Sequence, residues 1–366
     1  MRILYWSLSF WPKIGGLEIL AANQLSSLRR LGYDLEVVTP KDYGGLPDDE
    51  YYRGIRIHRL PFQSAILSGI DHVAEVRQKL IDLKRAFAPD LIHINGVGPL
   101  DFFHLTTRNA YRAPVVVTLH NPWPSEADSI VAMTLDAADW VVGVSNAILA
   151  RARRLAQEIP GRSSVIYNSV APPLPVPKPL RLSQPRLLCL GRLVPEKGFE
   201  VAINAFDPVL NHFPNARLTI AGDGPLRSVL EEQAVQLGIG HAVDFVGWVA
   251  PNLVPSLIND STIVLMPSRD EPFGLVALEA ALMARPVVAT RVGGLSEIVV
   301  HNETGVLIEN EDSQSLAEAI EFLLSNPNTA IQLGQSGRLR AEEVFSWERY
   351  ITEYDALYRK LDNKVA

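Results

Sequence analysis

The 366-residue chain has a single cysteine, Cys189, so no internal disulfide can form and Cys₂ or Cys₄ metal sites are excluded. In its apolar setting, LLCLG, that thiol reads as core packing. No run of about eighteen apolar residues occurs, which excludes a spanning helix. The opening MRILYWSLSFWPKIGG is broken by Pro12 and Lys13 and lacks a small-residue cleavage end, so it does not read as a signal peptide. Positive charge is scarce: 34 Lys and Arg face 41 Asp and Glu, a formal net charge of −7. That balance argues against nucleic acid as a partner, so anion binding must be local. The first loop lacks Gly-x-Gly-x-x-Gly, which removes the fingerprint of a dinucleotide-binding dehydrogenase. A cytoplasmic, reducing location is expected, with peripheral contact at the inner membrane face as a second possibility.

What is present is ordinary for a globular protein, 47% hydrophobic and 20% charged, in a chain long enough for two domains. Short β-branched runs alternate with longer amphipathic ones. RILYW opens as a buried strand; Leu17, Leu20, Ala21, Leu25, Leu28 and Leu31 then form one helical stripe ended by Gly32. LEVVTP, GIRIHRL, DLIHIN, PVVVTLH, WVVGVS and SVIYN read as further strands, and Ser145 as the N-cap of NAILARARRL. APPLPVPKPLRLSQP, residues 171–185, is too rich in proline for a helix or central strand and reads as a linker. Beyond it the rhythm restarts with RLLCLG, ARLTIAG, AVDFVG, TIVLMP and PVVAT. The expectation is an α/β protein of two doubly wound, Rossmann-like domains, 1–170 and 186–345, facing across a cleft. The aromatic helix within 346–366 packs on its own domain or crosses back to the first.

Ligands of such sheets bind beyond the carboxyl ends of the strands, so the chemistry belongs to the loops. GRLVPEKGFE places Arg192 and Lys197 before a helix opening near Phe199, a phosphate site in outline. In RDEPFGLVALEA, Pro272 biases Glu271 towards extended geometry, so this acid stands on a loop. Phe273, Gly274 and Leu275 supply free N–H groups at a helix start, and Gly274 allows close approach to the backbone. Glu279 lies one turn inside an otherwise apolar helix. Burying it unpaired is costly, and two vicinal hydroxyls, as on ribose, would satisfy it.

RLLCLGRLVPEKGFEVAINAF, IAGDGP, VDFVGWV and MPSRDEPFGLVALEAALMARPVVATRVGGLSEIV together resemble the nucleotide-binding half of retaining glycosyltransferases of family 4, which have the GT-B fold. The likeness runs through most of 186–345. It includes the E-x₇-E spacing of Glu271 and Glu279, and in the first half it reaches PKIGGLE and VVVTLHN. It implies that Arg192 and Lys197 hold the donor diphosphate, Glu279 the ribose, and Glu271 the transferred sugar. Backbone groups of Phe273, Gly274 and Leu275 would contact sugar and phosphate, and Gly15-Gly16 the diphosphate. Trp248-Val249 would lie near the base and His120 near the reacting sugar. A hexose would pass with retention from a nucleotide-sugar, UDP before GDP or ADP, to a sugar, lipid-linked or small-molecule hydroxyl acceptor. No Asp-x-Asp occurs, so neither metal nor other cofactor is expected. Tyr167-Asn168-Ser169-Val170-Ala171 and His93-Ile94-Asn95 depart from the family's usual patterns and leave the acceptor open.

Two other functions fit the same architecture: a nucleotide-sugar epimerase and a non-catalytic nucleotide-sugar-binding subunit. Two basic clusters, Arg151, Arg153 and Arg154, and Arg77, Lys79, Lys84 and Arg85, read as solvated helix faces in preference to a membrane-docking surface.

Overall fold

The computed structural model describes residues 1–41, 45–121 and 129–362. These form two compact units, Met1–Tyr167 with Glu348–Ala366, and Asn168–Trp347. The first is built on β1 (Arg2–Ser7), β2 (Asp34–Pro40), β3 (Asp49–Tyr52), β4 (Ile55–Leu60), β5 (Leu91–Asn95), β6 (Val115–Leu119), β7 (Trp140–Gly143) and β8 (Ser163–Val165). Their order is β3-β4-β2-β1-β5-β6-β7-β8. All pair in parallel except β3, which runs antiparallel to β4 at the edge. Ile3, Leu4, Tyr5 and Trp6 are all buried although successive side chains point to opposite faces, so both faces of the sheet are covered. The chain leaves β1 in one direction and returns at β5 in the other, which creates a switch point between these two strands.

The helix Gly16–Arg30 buries Leu20, Ala21, Leu25 and Leu28. Leu31, the last member of the expected stripe, caps that helix and is exposed. Ser145 caps Asn146–Leu155, accepting from Ile148 N at 3.2 Å. The C-terminal helix Trp347–Asp362 lays Tyr350, Tyr354 and Tyr358, one turn apart, into this unit, where Thr118 meets the Tyr354 hydroxyl at 2.9 Å. One expected surface cluster is corrected. Lys84 is fully buried, with its ammonium nitrogen donating to Thr107 Oγ1 at 2.9 Å, so it belongs to no solvated basic face. Burial pulls its pKa down to about 7. No helix among the described residues is long and apolar enough to cross a membrane.

The second unit carries β9 (Arg186–Leu190), β10 (Arg217–Ala221), β11 (Val243–Gly247), β12 (Ile263–Met266), β13 (Val287–Thr290) and β14 (Val306–Ile308), ordered β11-β10-β9-β12-β13-β14. Every pairing is parallel. This is the 3-2-1-4-5-6 order of a doubly wound sheet, with its switch point between β9 and β12. The unit boundary falls at Tyr167/Asn168, and residues 171–185 lie inside this unit. Proline supplies no N–H, so buried side chains hold this segment instead of a ladder. Asn259 accepts from Lys178 N and donates to Val176 O, both at 2.8 Å; Thr262 donates to Arg181 O; and Arg285, 1% exposed, donates to Lys178 O.

Candidate active site

The loops after β9 and β12 meet at the switch point of the second unit. Lys197 ends the turn Pro195–Lys197, and Gly198, at φ +62°, caps the helix Phe199–His212. A Cβ on Gly198 would sit 2.1 Å from Pro267 O, so only glycine lets this loop close against the end of β12. Lys197 Nζ thereby reaches Glu271 Oε2 at 2.5 Å. Glu271 is 7% exposed, and its carbonyl accepts from Gly294 N at 2.9 Å. Gly293, at φ +45°, packs where a Cβ would lie 2.1 Å from that same carbonyl oxygen.

Arg269 ties the two loops together. Its backbone N–H donates to Glu196 O at 2.8 Å and its Nη1 to Pro195 O at 2.5 Å. Its remaining donors pair with Glu200 and, at 2.7 Å, with Glu311. The guanidinium fork thus brackets the turn that carries Lys197 while its own backbone leads directly to Glu271.

Gly274, at φ +107°, caps the helix Leu275–Leu282. The Phe273 side chain turns into the core against Phe345, with ring centroids 5.9 Å apart, so the side chain itself is committed to packing. Leu275 opens the helix, where first-turn N–H groups lack intrahelical acceptors. Glu279 is partly accessible, and among the described residues no hydrogen-bond or ion-pair partner meets its carboxyl. Surrounding protein disfavours the charged form and pushes its pKa up to about 7. Near neutral pH this group therefore both donates and accepts.

In the first unit Gly15 caps the helix Gly16–Arg30, and the absent side chain leaves room for Glu18 Oε2, 2.5 Å from the position of a Cβ. His120 follows β6 directly and is 6% exposed. Its Nε2 lies 2.7 Å from Asn95 Oδ1 at the end of β5, and burial pulls its pKa down to about 4.

Family models match both halves of the chain: Glycosyltransferase Family 4 over residues 14–173 and Glycosyl transferases group 1 over residues 174–340. The chain is a group 1 glycosyltransferase. The glycogen synthase of Mycobacterium tuberculosis is 29% identical, over 98% of this chain and 94% of its own. Among solved structures, sucrose-phosphate synthase from Thermosynechococcus elongatus matches at TM-score 0.84 with 26% identity, covering 98% of each chain. Anabaena HepE, solved in complex with UDP and glucose, matches at 0.82 with 23% identity, over 99% of this chain and 100% of its own. The architecture is the GT-B fold of these neighbours.

Within this glycosyltransferase the structure brings together Lys197 and Glu271, with Phe273, Gly274, Leu275 and Glu279 following on the same segment. Arg192 shares the Lys197 loop, but its side chain is exposed and has no partner among the described residues. Trp248, 59% exposed, and Val249 follow β11 at the sheet edge, two strands from β9. Sequence reasoning missed Arg269, Gly293 and Gly294. The signal for the glycines was visible, two together after the buried strand PVVAT, whereas Arg269 looked like an ordinary loop cation.

Proposed function

We infer that this glycosyltransferase moves a hexose from a nucleotide-sugar, UDP-linked in the first instance, to a hydroxyl acceptor with retention and without a metal. One observation carries the reading: Lys197 and Glu271 are paired at 2.5 Å across the switch point of the second unit, one helical segment away from Glu279, whose carboxyl meets no partner among the described residues. The UDP and UDP-glucose bound by HepE support the donor class.

In this reading Glu279 holds the ribose hydroxyls. The ammonium of Lys197 has three N–H donors, so it can serve the departing phosphate while keeping its bond to Glu271. Arg192 adds a second cation. As the bond from C1 of the sugar to the phosphate oxygen breaks, its electron pair goes to the diphosphate. The acceptor oxygen attacks C1 from the same face, and its proton passes to the departing phosphate oxygen. Charge on the leaving group grows along this path, so fixed cations and the N–H groups of Gly274 and Leu275 favour the transition state over the ground state. These groups supply the positive charge that a metal would otherwise provide.

Calorimetric titration with UDP, GDP and ADP, then incubation with each sugar donor with and without chelator, tests the proposal. Binding of UDP and slow donor hydrolysis unaffected by chelator is the expected result. Conversion of the donor to an epimer, or loss of activity in chelator, would contradict it.

A further inference from the structure

Two neighbouring strands of the first unit carry polar side chains on one buried face. β5 and β6 pair in parallel, with His93 opposite Val116 and Asn95 opposite Thr118. Side chains alternate along a strand, so His93 and Asn95 share a face, as do Thr118 and His120. The bonds link these faces: His93 Nε2 meets Thr118 Oγ1 at 2.8 Å, and His120 Nε2 meets Asn95 Oδ1 at 2.7 Å. His93 is satisfied on its other side too, where Nδ1 meets the Tyr358 hydroxyl at 2.7 Å. His120 is not: its Nδ1 is buried without a partner among the described residues.

An amide oxygen only accepts, so the ring nitrogen facing Asn95 Oδ1 must carry a proton. Burial keeps this ring neutral, which leaves it one proton in all. That proton is committed to Nε2, and Nδ1 presents a lone pair. We propose that Asn95 is a positioning residue that holds His120 in its Nε2–H tautomer, so that the buried Nδ1 accepts from a substrate hydroxyl and is closed to phosphate oxygens. The identity of that hydroxyl rests on the glycosyl-transfer reading; the tautomer does not. An amide suits this task where a carboxylate would not. A negative charge at position 95 would favour the imidazolium, whose Nδ1–H donates instead of accepting.

Full-length protein labelled with ¹⁵N-histidine, read by long-range ¹H–¹⁵N correlation NMR, tests this, with His120→Ala identifying the resonance. A pyrrole-like Nε2 and a pyridine-like Nδ1 are expected at neutral pH, persisting until the ring titrates near 4. Asn95→Asp should convert both nitrogens to the protonated form near neutral pH. It should lower kcat by roughly 10- to 10²-fold while donor KM stays nearly constant. A proton on Nδ1 of the unaltered protein overturns the proposal, as does an Asn95→Asp variant with unchanged tautomer and turnover. If no nucleotide-sugar is turned over yet the tautomer is as stated, the transfer reading fails and the role of Asn95 stands.

Discussion

Lys197 brings one positive charge into its pair with Glu271, and a donor diphosphate would draw on the same ammonium. Lys197→Ala should therefore lower turnover by roughly 10²- to 10³-fold, the scale of one lost transition-state donor, while the circular dichroism spectrum stays unchanged. Unchanged turnover would remove the phosphate role. Glu279 supplies a pH dependence whose sign follows from burial. Its pKa is raised from 4.5 to about 7, so the folded state holds this proton more tightly than the unfolded chain. The stability this contributes is complete below pH 4.5 and is lost as pH rises through about 7. Glu279→Gln cannot ionise, so its stability relative to the parent should climb over that interval, by about 1–3 kcal/mol. Urea denaturation at acid and alkaline pH reads this directly. Under the proposed ribose role, the same variant should also bind UDP more weakly, because an amide offers one acceptor oxygen where a carboxylate offers two. Glu279 was legible in the sequence because a lone acid in an apolar helix needs company. Arg269 was not, because its partners Glu200 and Glu311 lie far away along the chain.

At the scale of elements, β5, β6 and the C-terminal helix form one polar layer inside an apolar unit. Tyr358→Phe removes the group that satisfies His93 Nδ1 and should cost about 1–3 kcal/mol in urea denaturation. A loss well under 1 kcal/mol would mean that the ring nitrogen finds another partner. His93 and His120 are held neutral, with pKa values drawn from 6.5 down to about 3 and about 4. Their contribution is present above pH 6.5 and falls away as acid approaches those values, which is the opposite sign to Glu279. Apolar runs announced β1, β2 and β4 to β13 because parallel strands covered on both faces are built mostly from apolar residues. They did not announce β3, whose sequence DEYY is polar and lies on the edge. There Asp49 meets His58 at 2.6 Å and Glu50 meets Arg59 at 2.7 Å, contacts that exist only once β3 and β4 pair. β14, three residues long, was too short to stand out.

For the molecule as a whole, each unit has its own sheet and its own buried apolar residues, so unfolding need not be a single two-state event. If the nucleotide binds the second unit, UDP at a hundred times its Kd should stabilise that unit by about 2.7 kcal/mol. Scanning calorimetry should then show one transition moving upward and the other standing still. Equal movement of both would contradict this assignment. The sequence alone determined the alternation of strand and helix, the loops in which Arg192, Lys197 and Glu271 stand, and the helix that carries Glu279. These follow from apolar period, proline and glycine, which act over a few residues. Only the tertiary structure decided that Lys197 meets Glu271, that Gly198, Gly293 and Gly294 let backbones close around them, and that His120 faces Asn95. It also decided that residues 171–185 lie on buried side chains of the second unit. Those outcomes depend on strand order and on contacts between residues far apart in the chain, and no local periodicity encodes them.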